Sequence, residues 1–314
     1  MDIHQRKYIV FKKKSMFQLG GNKGLKFLSY NVFSGQSEHE AALRSNSTIK
    51  LIKEMDPDII CLQEATYDFV YKLKKGLYKV YSKLDVLKDE KERDKIIKTG
   101  YIAILFKKKF SVKNKELIYK GGWFDDGILK VTLNTHDLFG FDLSIYNVHL
   151  SGGTFNKPVN EILEKRIRRL LELNLLNNDL EKEDHFIVAG DFNSDANSHE
   201  LFPDEPYSLD KGDDIFPEKF FYPSRKVKDV YDVWMELNNI DPGYTEDYKK
   251  NTFRKFLKPK QLRLARFDQV YYKKNGLQAD SIKLVGTKPI GKIDNDHDLF
   301  PSDHFGLLCT FKMK

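Results

Sequence analysis

The sequence predicts a single α/β domain, and three observations carry that expectation. Strand-like apolar runs alternate with helical periodicities along most of the chain. Many of those runs end on a polar side chain capable of chemistry. No stretch of linker composition and no short-period repeat divides the sequence, so residues 25–314 read as one domain behind a basic extension, 1–24.

The extension closes on Gly20-Gly21-Asn22-Lys23-Gly24, a flexible joint, and its Lys12-Lys13-Lys14 run reads as a solvated tail. Residues 25–31 form a strand that terminates on Asn31. From Glu40 to Met55, Leu43, Ile49, Ile52 and Met55 recur at helical spacing until Asp56-Pro57 breaks the pattern. A second strand, 58–64, ends on Glu64. Residues 84–99 are charge-dense and read as a solvated loop or helix. Residues 101–106 are a buried strand; 128–133 and 141–150 are neighbouring strands, the latter placing Leu143, Ile145, Asn147 and His149 on one face. Pro158 opens a helix whose core face is expected to be Val159, Leu163, Ile167, Leu170, Leu171 and Asn174, with Lys165, Arg166, Arg168 and Arg169 mostly off it. A fully apolar strand then ends in Gly190-Asp191-Phe192-Asn193. Residues 199–228, rich in Pro and aromatics, read as an irregular insertion, and 230–237 as a short helix or strand. Strands from Arg266 and from Phe305 complete the chain, the last preceded by Ser302-Asp303-His304.

Composition narrows the class. A chain of 314 residues with 40% hydrophobic and 13% aromatic content can bury a substantial core. Its net charge of +7 suits a polyanionic partner such as nucleic acid, or an acidic membrane surface, without choosing between them. Cys61 and Cys309 each sit inside an apolar run, too few for a disulfide framework, which fits a reducing intracellular setting, nucleus or cytoplasm. There is no 18-residue apolar run and no signal-peptide core, so no stable membrane association is expected.

Asn31, Glu64, His149, Asp191, Asn193, Asp268, Asp303 and His304 all fall at or near strand ends, and so many polar ends predict strands converging on one pocket. Hard oxygen donors without a Cys/His ligand cluster point to Mg²⁺ or Mn²⁺ rather than zinc. A divalent ion bridges acidic ligands to an anionic phosphate, and histidines add proton transfer and charge stabilisation. Metal-assisted phosphoester hydrolysis follows. The chain has no Gly-x-Ser-x-Gly elbow, no phosphate-binding Gly-x-x-x-x-Gly-Lys-Ser/Thr loop and no His-Glu-x-x-His helix.

Strand-Asn31, Leu62-Gln63-Glu64, His149-Leu150, Gly190-Asp191-Phe192-Asn193-Ser194 and Ser302-Asp303-His304-Phe305-Gly306 stand in an order that resembles the endonuclease/exonuclease/phosphatase superfamily, over roughly residues 25–312. Within it the pattern is most similar to the tyrosyl-DNA phosphodiesterase 2 branch, through Phe300 to Thr310, Arg266-Phe267-Asp268-Gln269, Asp232-Val233-Trp234 and Tyr244-Thr245-x-Asp247 with Asn251. The resemblance implies a DNase I-like, four-layer αββα sandwich of two packed mixed sheets with the pocket at one edge. The chain departs from that branch at Glu246 (Trp there), Phe192 (Thr) and Ser151-Gly152 (Glu-Ser), changes expected to touch the substrate groove more than the metal site.

The same resemblance implies roles. Glu64 ligates Mg²⁺ with Asp303 as a further metal partner, and Asn31 orients Glu64 and the phosphate. Asp191 positions and helps deprotonate the attacking water, and Asn193 holds that water or the phosphate oxygen; His304, steadied by Asp268, and His149 stabilise charge on phosphorus. Tyr244, Arg266 and Ser151 are the expected substrate contacts. The implied substrate is DNA or RNA carrying a 5′-tyrosyl adduct, cleaved by a monomer in DNA repair. The segment from Tyr244 to Arg266, with Tyr248, Phe253 and Phe256 among cations, is a candidate nucleic-acid groove. General endonuclease or exonuclease action, hydrolysis of lipid or inositol phosphates, and an inactive binding module are the alternatives.

Overall fold

Side-chain alternation along the strands decides how this chain layers. The computed structural model describes residues 24–33, 40–77, 81–85, 101–120, 127–152, 158–197, 221–238, 240–260 and 262–314. In chain order the strands are β1 (Leu25–Asn31), β2 (Ile59–Ala65), β3 (Tyr81–Asp85), β4 (Tyr101–Lys107), β5 (Ser111–Lys120), β6 (Gly127–Asn134), β7 (Asp142–His149), β8 (Phe186–Asp191), β9 (Val230–Asp232), β10 (Glu246–Asp247), β11 (Leu264–Ala265), β12 (Asp268–Lys273), β13 (Leu277–Val285), β14 (Gly291–Lys292), β15 (Asp298–Leu299) and β16 (Gly306–Met313). One sheet has the order β13-β16-β1-β2-β4-β3 and another β5-β6-β7-β8-β12-β9. Within them β1 and β2, and β7 and β8, run parallel. The other neighbours run antiparallel, so both sheets are mixed.

The inward rows of the two sheets meet in one buried cluster, where Phe27, Cys61, Ile104 and Cys309 face Val131, Ile145, Ile187 and Val270. On the far side of the first sheet, Leu28, Leu62 and Leu105 pack on Ile49 and Ile52 of helix Ala41–Met55 and on Phe69 and Leu73 of helix Tyr67–Leu77. On the far side of the second, Tyr146, Val148 and Val188 pack on Leu173, Leu176 and Leu180 of helix Val159–Leu180. Helix, sheet, sheet, helix is the four-layer order expected. Burial of each such side chain contributes about 1.5–3 kcal/mol. The two thiols are free and buried in the inter-sheet cluster, and burial pushes both upward in pKa.

The inward rows also explain where the pocket lies. Along β1 the row is Leu25, Phe27, Ser29, Asn31; along β7 it is Leu143, Ile145, Asn147, His149; along β8 it is Ile187, Ala189, Asp191. Each begins in the apolar cluster and ends buried but polar. Buried polar groups need partners, and one layer beneath the pocket they find each other across the sheets. The Gln63 amide donates to Asn147 Oδ1 at 2.6 Å, and the Asn147 amide donates to the carbonyls of Leu62 and Ala103 at 2.9 Å each.

The structure corrects several expectations. Helix Val159–Leu180 does not bury the aliphatic face its spacing suggests: Ile167 and Leu171 are 47% and 61% exposed, whereas Arg166, Arg169 and Glu172 are buried. The loop after β7 sets that face. Glu172 accepts from the Ser151 hydroxyl and backbone N–H at 2.6 and 2.8 Å, and Arg169 donates to the Ser151 carbonyl at 2.7 Å. Leu173, Leu176 and Leu180 supply its apolar contacts. Residues 230–237 divide into β9 and a short helix, Val233–Leu237. The sequence patterns did not single out helix Tyr67–Leu77, β3, β5 or β13. Of 84–99, Leu84 and Asp85 end β3 and the rest lies outside the described residues, as do 1–23 of the extension and 199–220 of the insertion. Among the described residues no helix is long and apolar enough to cross a membrane.

Candidate active site

Strand register assembles the first half of the site. His149 pairs with Asp191 across β7 and β8, and Asp191 pairs with Asp268 across β8 and β12. From the other sheet, the Asn31 amide donates to Glu64 Oε1 at 3.0 Å and to Asp191 Oδ2 at 3.1 Å. Simple alternation would turn Glu64 to the face opposite Gln63. Instead Glu64 adopts φ 51°, and the β2–β4 register slips between Leu62 and Ala65. A non-glycine residue held in that region is costly unless its surroundings fix it, and here the bulge brings the carboxylate to Asn31. The His149 Nε2 atom lies 3.7 Å from Asp191 and 4.0 Å from Glu64. One donor atom from each of Glu64, His149 and Asp191 falls within 4.8 Å of the others.

The turn after β8 is equally constrained. Gly190 has φ 146°, and a Cβ there would sit 1.9 Å from the Val148 carbonyl oxygen, so only glycine fits. Asn193, at φ 50°, donates its backbone N–H to Asp191 Oδ1 at 2.8 Å and its side-chain amide to the Leu150 carbonyl at 2.9 Å. It packs directly over Gly152, where an added Cβ would lie 2.3 Å from Asn193 Oδ1.

The second half centres on His304. Its Nδ1 meets Asp268 Oδ2 at 2.7 Å, and its Nε2 faces Glu246 Oε1 at 3.4 Å. Thr245 Oγ1 accepts from the backbone N–H groups of Phe267 and Asp268, fixing the start of β12. Ser302 ties this loop to β1 by donating to the Asn31 carbonyl at 2.7 Å, and the Asn251 amide donates to the Ser302 carbonyl. Glu246, Asp303 and His304 also bring three donor atoms within 4.8 Å of one another. The two halves adjoin, since the charges of Asp303 and His304 act on Glu64.

Electrostatics follow from burial and pairing. Burial raises the pKa of Glu64; His149 and the Asn31 hydrogen bond offset part of this, and the charge of Asp303 adds to it. Burial would also raise Glu246, but Arg263 and Arg254 outweigh it and hold that carboxylate well below the usual range. Burial opposes charge on His304, yet Asp268 and Glu246 raise its pKa well above the ordinary histidine value. The acidic and histidine side chains of the site could hold a divalent cation. Its acidic residues supply carboxylate oxygens for such an ion, and Asp303 Oδ1 is buried without a hydrogen-bond donor.

Not every expected residue joins this pocket. Arg266 is 1% exposed; its guanidinium is held on Asp232 of β9 at 3.0 Å and its backbone N–H donates to Asp195 in the loop after β8, a strap rather than a free substrate contact. Ser151 is buried and turned onto Glu172. Tyr244 is half-buried, one residue before Thr245. Phe192 is buried on the outer face of the second sheet against Tyr222 and Tyr271, apart from Glu64, His149 and Asn31. In the expected nucleic-acid segment, Phe253 is fully buried beside Phe33 and Phe305, and Arg254 and Arg263 are committed to Glu246. Tyr248 stays half-buried, with Lys249 Nζ 5.7 Å from its ring centroid. Glu246, expected at the groove, is instead 2% exposed against His304. Neither spacing nor periodicity signalled that contact, because it depends on the pairing of β10 with β11.

Comparison with known proteins agrees with this architecture. No curated protein sequence matches the chain. Among solved structures, TDP2 from D. rerio complexed with single-strand DNA product superposes with a TM-score of 0.66 at 19% identity, covering 93% of this chain and 100% of that one. TDP2 from C. elegans gives 0.64 at 19% identity, covering 93% and 77%. A mannosyl-6-phosphatase of Bacteroides thetaiotaomicron gives 0.62 at 16%, covering 91% and 99%. At these identities the likeness is one of fold. A sequence model of the Endonuclease/Exonuclease/phosphatase family matches residues 28–304, and the chain, with its polar strand ends gathered in one pocket, belongs to that family of phosphoester hydrolases.

Proposed function

We propose that this protein is a divalent-metal-dependent phosphodiesterase that hydrolyses the 5′-phosphotyrosyl bond of protein–DNA adducts. The observation that carries the reading is the meeting of Glu64, Asp191 and His149 around the Asn31 amide, with carboxylate oxygens placed for a cation and an imidazole placed for a phosphate. Glu64, with Asp303, would hold Mg²⁺ or Mn²⁺, which when bound neutralises phosphate charge and polarises the phosphorus–oxygen bonds. Asp191, oriented by Asn31 and the Asn193 backbone, aligns a water on the phosphorus and takes its proton as the new bond forms. His149 Nε2 donates to a phosphoryl oxygen as negative charge builds there, and His304, steadied by Asp268, stabilises the same charge electrostatically. The bond from phosphorus to the tyrosyl oxygen breaks. With a phenol pKa of about 10, the leaving group departs as phenolate and asks little of a general acid. DNA repair in the nucleus or cytoplasm is the setting this substrate implies.

One observation favours a second reading. With Phe253 in the core and Arg254 and Arg263 on Glu246, the segment 244–266 offers less stacking and charge to a nucleic-acid strand than its composition suggests. A smaller phosphate ester needs neither. The test is a panel of 5′-phosphotyrosyl DNA, abasic duplex, RNA, sphingomyelin and a sugar phosphate, each with Mg²⁺, Mn²⁺ or EDTA. Metal-dependent release of tyrosine in preference to the other products supports the first reading. Preferential turnover of the sugar phosphate replaces it with the second.

A further inference from the structure

We infer that Glu246 is a positioning residue for His304, holding the imidazole by the nitrogen that Asp268 leaves. An imidazole anchored at one nitrogen can still swing about that hydrogen bond. His304 is anchored at both, by Asp268 at Nδ1 (2.7 Å) and by Glu246 facing Nε2 (3.4 Å). The two carboxylates come from separate elements. Asp268 opens β12, while Glu246 lies on β10, whose register places it opposite Ala265 of β11.

A carboxylate this deeply buried is held only if its charge is met. Glu246 Oε2 accepts from Arg254 Nη2 at 3.1 Å and Arg263 Nε at 3.0 Å, and Oε1 accepts from Arg263 Nη2 at 3.2 Å. Arg254 is fully buried; Arg263 is partly exposed, with its guanidinium 4.6 Å from the Phe267 ring centroid. The arginines therefore fix the carboxylate, and the carboxylate fixes the ring. Through this chain the orientation of His304 is tied to helix Thr252–Leu257 and to the strand pair β10–β11.

The kinetic consequence rests on the phosphoesterase reading above, whereas the contact itself does not. Two conservative substitutions separate positioning from plain charge neutralisation. Glu246→Gln keeps the reach to His304, its amide able to accept from or donate to Nε2, but loses the charge that the arginines need. Glu246→Asp keeps the charge but is one methylene short of the ring. Displacement of an aligned group by about 1 Å can cost up to about 100-fold in rate. The expected result is a fall in kcat of about tenfold or more in Glu246→Asp and about threefold or less in Glu246→Gln, with KM nearly unchanged. Melting temperature should fall further in Glu246→Gln. Crystal structures of the wild type and both variants read the ring directly: rotated in Glu246→Asp, retained in Glu246→Gln. A ring unmoved in Glu246→Asp, or a kcat loss that follows melting temperature, overturns the inference. If the wild type hydrolyses no member of the substrate panel, the phosphoesterase reading falls, and the ring orientations alone decide the role of Glu246.

Discussion

Asn31 and Asp191, 160 residues apart in sequence, share a hydrogen bond of 3.1 Å that crosses from one sheet to the other. The same amide reaches Glu64 at 3.0 Å, so a single neutral donor stands between two carboxylates. It orients both and sits where their repulsion would otherwise be greatest. Both sheets must be in register before this contact forms, which makes it a reporter of the assembled site.

Replacing Asn31 by alanine should therefore cost turnover more than stability. The lost hydrogen bonds amount to about 1.5–3 kcal/mol each when the acceptor is charged. Some of that loss returns as water enters a partly open pocket. We expect kcat to fall by about 10- to 100-fold with the melting temperature changed by only a few degrees. Steady-state kinetics beside a thermal scan will decide, and a full-rate Asn31→Ala enzyme would remove Asp191 alignment from the mechanism.

Glu64 links the site to pH. Burial raises its pKa, so the folded chain binds a proton there more tightly than the unfolded chain does. Its contribution to stability is then fully present below the ordinary glutamate range and declines as pH rises through the elevated folded value. A divalent cation needs the ionised form, so stabilisation by Mg²⁺ should grow over that same rise. At a concentration 100 times Kd a ligand adds about 2.7 kcal/mol. The increase in melting temperature produced by Mg²⁺ should be clearly larger at pH 8 than at pH 5, and absent in Glu64→Ala, which should also lose turnover by orders of magnitude. An equal shift at both pH values, or a shift that survives in Glu64→Ala, places the cation elsewhere.

Legibility in the sequence followed a physical rule. Asn31, Glu64, His149 and Asp191 could be read because each closes an apolar strand, and strands of one layered domain point their ends at common edges. Register then did the rest, setting His149 beside Asp191 and Asp191 beside Asp268. What escaped depends on contacts between distant segments. The buried face of helix Val159–Leu180 is chosen by Ser151, which no helical periodicity can reveal. β5 is exposed along most of its length, so it lacks the apolar alternation that marks a strand. Arg254 and Arg263 look like free cations in a basic segment until β10 and β11 pair and present Glu246 to them.

The contact of Gly152 with Asn193 gives a sharper test of geometry. Glycine at 152 leaves room for the Asn193 amide; a methyl group would fall 2.3 Å from its Oδ1. Gly152→Ala must move Asn193, whose backbone N–H also orients Asp191. Loss of about tenfold or more in kcat is expected, with restoration of part of it in the double variant Gly152→Ala/Asn193→Ser, whose shorter side chain clears the methyl. Additive losses in the double variant would show that the two residues are not coupled.

Arg266 separates a strap from a substrate contact. Both carboxylate oxygens of Asp232 accept from its Nη1 at 3.0 Å, and its backbone N–H donates to Asp195 at 2.9 Å. Asp232 also caps helix Val233–Leu237 by accepting from the N–H groups of Trp234 and Met235. Asp232→Asn keeps an oxygen for the cap but leaves the buried guanidinium without its countercharge. Breaking a buried pair from one side costs about 3–5 kcal/mol. Urea unfolding should show a loss of that size, while kcat per folded molecule stays at the wild-type value, because nothing that touches Glu64 or Asp191 has moved. If stability holds and kcat falls instead, the guanidinium serves the substrate, and the role first read for Arg266 from its motif is the correct one.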